Sequence, residues 1–211
     1  MKKLIKLVIL AVAAYLVWDY FHPPEAVRFE PGVEVFSPPQ IYVTPYAEPF
    51  EFKQHQLTPV AEMEITGKVL AQEPYYFDRG AKISPVDIVL GWKALSDQEV
   101  VDQFEFRQSL RWYAWGPSAG HRLPMRRIEI LGQSENLHLV PSTEALAERL
   151  KAIRNGEIIY LHGKLVNVKG EDGWVWKTSM SLMDSGDNSS EVFWIEEFDV
   201  IKTAPLLAEP A

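Results

Sequence analysis

The sequence predicts an α+β domain, a mostly antiparallel curved sheet or small barrel with three or four short helices, behind an N-terminal transmembrane helix. Three observations point there. Strand-period alternation recurs along the chain, most clearly where Met63, Ile65, Gly67 and Val69 alternate with Glu62, Glu64, Thr66 and Lys68. Capping residues open short helical windows between these stretches. The chain starts with lysines followed by an apolar run, the order of a targeting segment.

In residues 1–21, Lys2, Lys3 and Lys6 precede the uncharged run Leu7 to Trp18. Counted from Leu4 to Phe21, the stretch would be about 27 Å long as a helix, close to a hydrocarbon core of about 30 Å. Lys6 would snorkel to the head groups, and Trp18, Tyr20 and Phe21 would sit at the far interface. The alternative is a cleaved signal peptide, with Ala11-Val12-Ala13 as a small-x-small site. Under the positive-inside rule the lysines stay in the cytoplasm and the rest is exported. The expected location is therefore the inner membrane, single-pass, with the C-terminal domain in the periplasm.

Composition bounds the remainder. With 47% hydrophobic residues the chain can build a core, and with no cysteine it has no disulfide and no thiolate ligand. The net charge of −8 opposes general nucleic-acid binding, which needs a basic footprint. Setting aside Lys2, Lys3, Lys6 and Asp19, the exported part carries about −10.

Residues 22–49 read as a proline-rich linker holding seven of the 15 prolines, extended and in part polyproline II. Stretched out it would reach roughly 85 Å, though Val33, Val35, Phe36, Ile41, Tyr42 and Val43 allow parts of it to pack. Residues 50–202 read as the globular domain and 203–211 as a loose tail. Ser84-Pro85-Val86-Asp87 has the form of a helix start, with the helix ending near Gly91. Ser96-Asp97-Gln98-Glu99 repeats that logic for a helix to about Gln103. Phe104 to Trp115 reads as one long strand stopped by Gly116-Pro117.

Leu137 to Val140 is a short strand. Pro141-Ser142 opens a helix striped by Ala145, Leu146, Leu150 and Ile153 and closed at Asn155-Gly156. Glu157 to Val168 and Trp174 to Leu182 form a hairpin around Gly170-Glu171-Asp172-Gly173. Asp184 to Ser190 is a polar loop, and Glu191 to Ile201 is the last strand.

The most distinctive local composition is Arg107 to Ile128, which has five arginines and three large aromatics but no acid. Arg107, Arg111, Trp112, Tyr113, Trp115, Arg126 and Arg127 are the candidate ligand-binding residues. A guanidinium fork beside an aromatic plane suits phosphates, carboxylates or sugar rings. The plainer reading has the aromatics in the core and the arginines paired with surplus carboxylates.

Other motifs are weaker. Asp184-Ser185-Gly186 matches the aspartic-protease triplet, but Asp187 follows where a small residue is usual, so a polar turn is the better reading. Asp184, Asp187, Asn188 and Glu191 lack the alternating ligand spacing of an EF-hand. His22, His55, His121, His138 and His162 form no zinc pattern. Trp174 and Trp176 share one strand face, which reads as core before sugar platform. No metal, cofactor or catalytic set is expected.

Three blocks are similar to those of a broad group of uncharacterised bacterial proteins: Ser134 to Pro141, Ile153 to Val166, and Asp184 to Trp194. In that group glycine usually stands where this chain has Asn188, and cysteine where it has Ser190. These departures put in doubt any role that depends on that loop. The resemblance implies one domain and supplies no activity.

The expected function is that of a membrane-anchored bacterial envelope protein. Its exported domain binds another envelope component without catalysis. The partners would be membrane lipid, through the N-terminal helix, and an envelope protein, with no nucleic acid. The alternatives use the Arg107–Arg127 segment. One is an envelope hydrolase with His121, Glu105 or Glu129 as acid or base. The other is a binding module for an anionic sugar or lipid head group.

Overall fold

The computed structural model describes residues 6, 7, 10, 11, 24–181 and 190–203. The expected anchor therefore falls almost wholly outside the described residues, as do the Asp184-Ser185-Gly186 loop and the tail beyond 203. Among the described residues no helix is long and apolar enough to cross a membrane.

The strands are β1 (Gln40–Val43), β2 (Phe50–Phe52), β3 (His55–Pro74), β4 (Val86–Gly91), β5 (Phe104–Ser109), β6 (Trp112–Pro117), β7 (Ser134–Pro141), β8 (Ile158–Gly170), β9 (Val175–Trp176) and β10 (Glu191–Lys202). Three short helices lie between them: α1 (Gln98–Val101), α2 (Arg127–Leu131) and α3 (Glu144–Lys151). A 3-10 turn (Lys93–Ser96) precedes α1. The class is α+β with a curved, mostly antiparallel main sheet; the pair β7–β10 is parallel.

The 20-residue β3 organises the sheet. Its outer edge takes β2, β1 and β4 in succession, and its other edge takes β8. At Lys68 the strand is flanked on both sides, by Gly91 of β4 and Ile158 of β8. The pairings β3–β4–β7–β10–β8 thus return to β3. Gly163 is needed where β8 meets β10, because a Cβ there would stand 1.9 Å from the Trp194 carbonyl oxygen. Ile65, Val86, Ile88, Leu90, Leu137, Leu139 and Phe193 fill the interior. The α3 residues Leu146 and Leu150 close over it, with Thr143 Oγ1 accepting from Leu146 N at 3.2 Å as the N-cap.

Four expectations need correction. Within the described residues the returning strand expected from Trp174 to Leu182 is only β9, Val175–Trp176. Residues 86–91 are a strand. Ser84 Oγ does reach Asp87 Oδ1 at 3.4 Å, but Val86 to Gly91 is buried at every position, as a central strand requires. Phe104 to Trp115 is a hairpin, because the chain reverses at Leu110 (φ 52°) and Arg111 (φ 71°). These left-handed values at both central positions define a type I′-like turn, which usually advertises itself with Asn-Gly. Finally, α2 had no expected counterpart.

The proline-rich segment lies along the domain from Val27 onward. Val27 N donates to Asn155 O at 2.7 Å, and Gly156 (φ 88°) faces it so closely that a Cβ would come within 1.8 Å of the Val27 oxygen. Phe29 N donates to Gln98 Oε1, Gly32 N to Asp97 Oδ1, and Val35 N to Ser96 Oγ. Residues 26–35 thus form a strap whose orphan backbone donors are met by side chains around the start of α1. Further on, Gln40–Val43 pairs with β3, an edge position that tolerates the preceding Pro38 and Pro39.

Candidate functional site

Cross-strand register brings Glu73, Asp87 and His138 into one row across β3, β4 and β7. These residues alternate with Val86 and Ile88, so their side chains leave the interior face. The tip of the β5–β6 hairpin folds back over this row and delivers Arg111 to it. Arg111 Nη1 donates to Asp87 Oδ1 at 2.5 Å and to Ser84 Oγ at 3.3 Å. Its Nη2 donates to both Asp78 oxygens, at 2.9 and 3.0 Å, and to Ser84 O at 3.0 Å. Nε has no acceptor. The Arg111 side chain is 16% exposed and Asp87 is fully buried.

Aromatic planes close the cluster. The guanidinium carbon lies 3.8 Å from the centroid of the Tyr75 ring and 5.6 Å from that of Trp176, two cation–π contacts. Trp176 also packs on His138, with centroids 4.7 Å apart. His138 Nδ1 is 2.8 Å from Asp87 Oδ2, close enough for an ion pair but not aligned as a hydrogen bond. The Tyr75 oxygen accepts the Arg111 backbone N–H at 2.8 Å, and Asn136 Nδ2 donates to Arg111 O at 3.1 Å. Both backbone groups of a strained turn residue are therefore satisfied. Burial pushes the Tyr75 hydroxyl up to about 12, and burial followed by the Asp87 charge raises the Glu73 carboxyl above its ordinary range.

The seven candidate residues do not share this place. Arg107 is exposed and pairs with Glu105 on its own strand at 2.7 Å, while Arg126 pairs with Glu129 across the start of α2 at 3.1 Å. Arg127 is exposed. Tyr113 and Trp115 pack with Phe104, Phe106 and Ile130 in a core beneath the hairpin, and burial raises the Tyr113 hydroxyl. Trp112 is half exposed at the tip. Of the seven, only Arg111 enters the cluster.

The acid–base candidates are also engaged locally. Glu105 accepts from Arg107, Glu129 accepts from Arg126, and exposed His121 contacts Ser118 Oγ and Ala119 O within its own loop. Asp78 and Tyr75 stand out by no local pattern, Asp87 reads as the acid of a helix start, and His138 as a structural histidine. The signal for Asp87 was an acid inside an apolar β-branched run, where a buried carboxylate needs a cationic partner.

What the cluster displays is apolar. Tyr76 is 68% exposed, Phe77 99%, Leu110 82% and Trp112 51%. These side chains flank Tyr75 on one loop and Arg111 on the other, and the Tyr75–Arg111 contact joins the two loops. Among the described residues no group of three or more His, Cys, Asp or Glu is placed to hold a metal ion. No family model, curated protein or solved structure matches the chain.

Proposed function

We propose that this chain is a membrane-anchored bacterial envelope protein whose exported domain docks onto another envelope protein and catalyses no reaction. The observation that carries this is the exposed rim of Tyr76, Phe77, Leu110 and Trp112, held in place by the buried Arg111 cluster. Large apolar side chains clustered in water mark an interaction surface, and aromatics dominate the centres of such surfaces.

The strand order supports a binding role. We read the ring as a small, partly open Greek-key barrel of the OB type. Its five strands, in chain order β3, β4, β7, β8 and β10, close in the order first, second, third, fifth, fourth. α3 lies between the third and the fourth. Such barrels bind oligonucleotides and oligosaccharides on the face of the second and third strands and on the loops after the first and fourth. Here those are β4, β7 and the connections 75–85 and 171–190, where the described part of the cluster lies.

The chemistry of the rim favours protein over sugar or anion. Phe77 and Leu110 offer no polar atom to a hydroxyl, Arg111 is occupied by Asp78 and Asp87, and Arg79 beside them pairs with Asp172, leaving exposed Lys82 as the further cation of that loop. The acidic net charge opposes nucleic acid.

Photo-crosslinking in intact cells tests the reading. A photoreactive residue at position 77 should give one protein adduct, and the same residue at exposed Glu144 on α3 should not give it. Lipid adducts alone, or equal adducts at both positions, would contradict it. A reporter fused after Ile201 should be active only outside the cytoplasm.

A further inference from the structure

We propose that Lys68 is a covalent-capture site, placed to form an imine with a small aldehyde whose remainder is apolar. Lys68 sits where β3 is held by β4 and β8 at once, so its backbone is fixed. Its side chain lines a cavity of about 290 Å³ between the strap and α1, with Val69, Val101, Phe104 and Phe106 as apolar wall. The cavity borders exposed Ala26 and Arg28 of the strap.

The Lys68 residue is 1% exposed, and its amine donates to Gln98 Oε1 at 2.7 Å and lies 5.3 Å from the Phe29 ring centroid. Burial lowers it to about 8, against upward pulls from Asp102, Glu34 and Asp97 and a further downward push from Arg28. Each of those carboxylates is engaged elsewhere: Asp102 by Arg28 and Gln98, Glu34 by Lys202, and Asp97 by the Gly32 and Glu99 backbones. At pH 7.5 about a quarter of such amines are neutral, against about 0.1% for an ordinary lysine. A desolvated lysine of this kind is a nucleophile.

The surrounding charge selects the ligand. Among the lining residues Asp102 is already paired with Arg28, so an uncharged carbonyl disturbs no ion pair and gains the apolar wall. The nitrogen lone pair attacks the carbonyl carbon and forms the C–N bond. The carbonyl oxygen takes the proton lost by nitrogen, giving a carbinolamine. Loss of that hydroxyl with the second nitrogen proton leaves the imine. Amine plus aldehyde thus gives imine plus water, with no oxidant or reductant.

The probe is benzaldehyde with cyanoborohydride to trap the imine, applied to the detergent-solubilised full chain, with modified lysines mapped by mass spectrometry. Lys68 should be modified about tenfold faster than exposed Lys169 and Lys177 at pH 7.5, with a midpoint near pH 8. Ala26→Trp narrows the cavity mouth without touching the amine and should slow Lys68 alone. Labelling of Lys169 and Lys177 with Lys68 untouched, or a rate at Lys68 unchanged by Ala26→Trp, would overturn the proposal.

Discussion

Arg111 and Lys68 are both cations withdrawn from water, and their surroundings differ in kind. Arg111 meets two carboxylates, a backbone carbonyl, a hydroxyl and two aromatic faces. Lys68 meets one amide oxygen, one aromatic ring and a cavity. A buried ion whose partners fill its geometry resists change, because removing any partner strands the rest. A buried ion with few acceptors has its charged form disfavoured instead and becomes chemically available. The first arrangement makes a latch, and the second makes a site.

The comparison breaks most sharply at Asp87. Asp87→Ala leaves Arg111 buried beside a void and should cost about 3–5 kcal/mol, measured as a shift in the urea midpoint at constant slope. Lys68→Met should act in the opposite direction. The lysine amine is depressed in the folded state, so below about pH 8 both folded and unfolded chains hold the proton and the folded state bears the full desolvation penalty. Stability should therefore rise as pH climbs from about 8 to about 10.5, by roughly 3 kcal/mol, and Lys68→Met should abolish that rise and be more stable at neutral pH.

Gly156→Ala tests the strap that roofs the lysine. Both the positive φ and the Val27 carbonyl exclude a Cβ, so about 1–3 kcal/mol should be lost, with faster proteolysis around Val27. Arg107→Ala should be the smallest effect, within about 0.5 kcal/mol, because its pair with Glu105 is exposed on both sides.

Much of the frame was legible. β3 follows from the alternation of residues 62–69, β7, β8 and β10 from their β runs, and α1 and α3 from their start signals, although the caps fall one residue later than expected, at Asp97, whose Oδ1 accepts from Glu99 N at 3.0 Å, and at Thr143. β4 was hidden because Ser84 and Asp87 imitate a capping pair while answering to Arg111 and His138. The hairpin was hidden because Leu110 and Arg111 hold left-handed conformations that distant partners enforce. Glycine or asparagine would have shown that turn locally. The return of the sheet to β3 depends on one residue having two neighbours, which no local pattern encodes.

The site divides in the same way. Arg111 stood out by composition, but its partners come from positions 75, 78, 84, 87 and 176 through long-range pairing. Lys68 looked like the polar side of a strand until the strap and α1 covered it.

Amide hydrogen exchange at Arg111 tests the latch most directly. A hairpin tip normally exchanges freely, but this N–H is bonded to Tyr75 Oη beneath a buried ion cluster. Its protection should approach that of the neighbouring strand β4 and be lost in Asp87→Ala. Exchange at the rate of an open turn in the unaltered protein would contradict it.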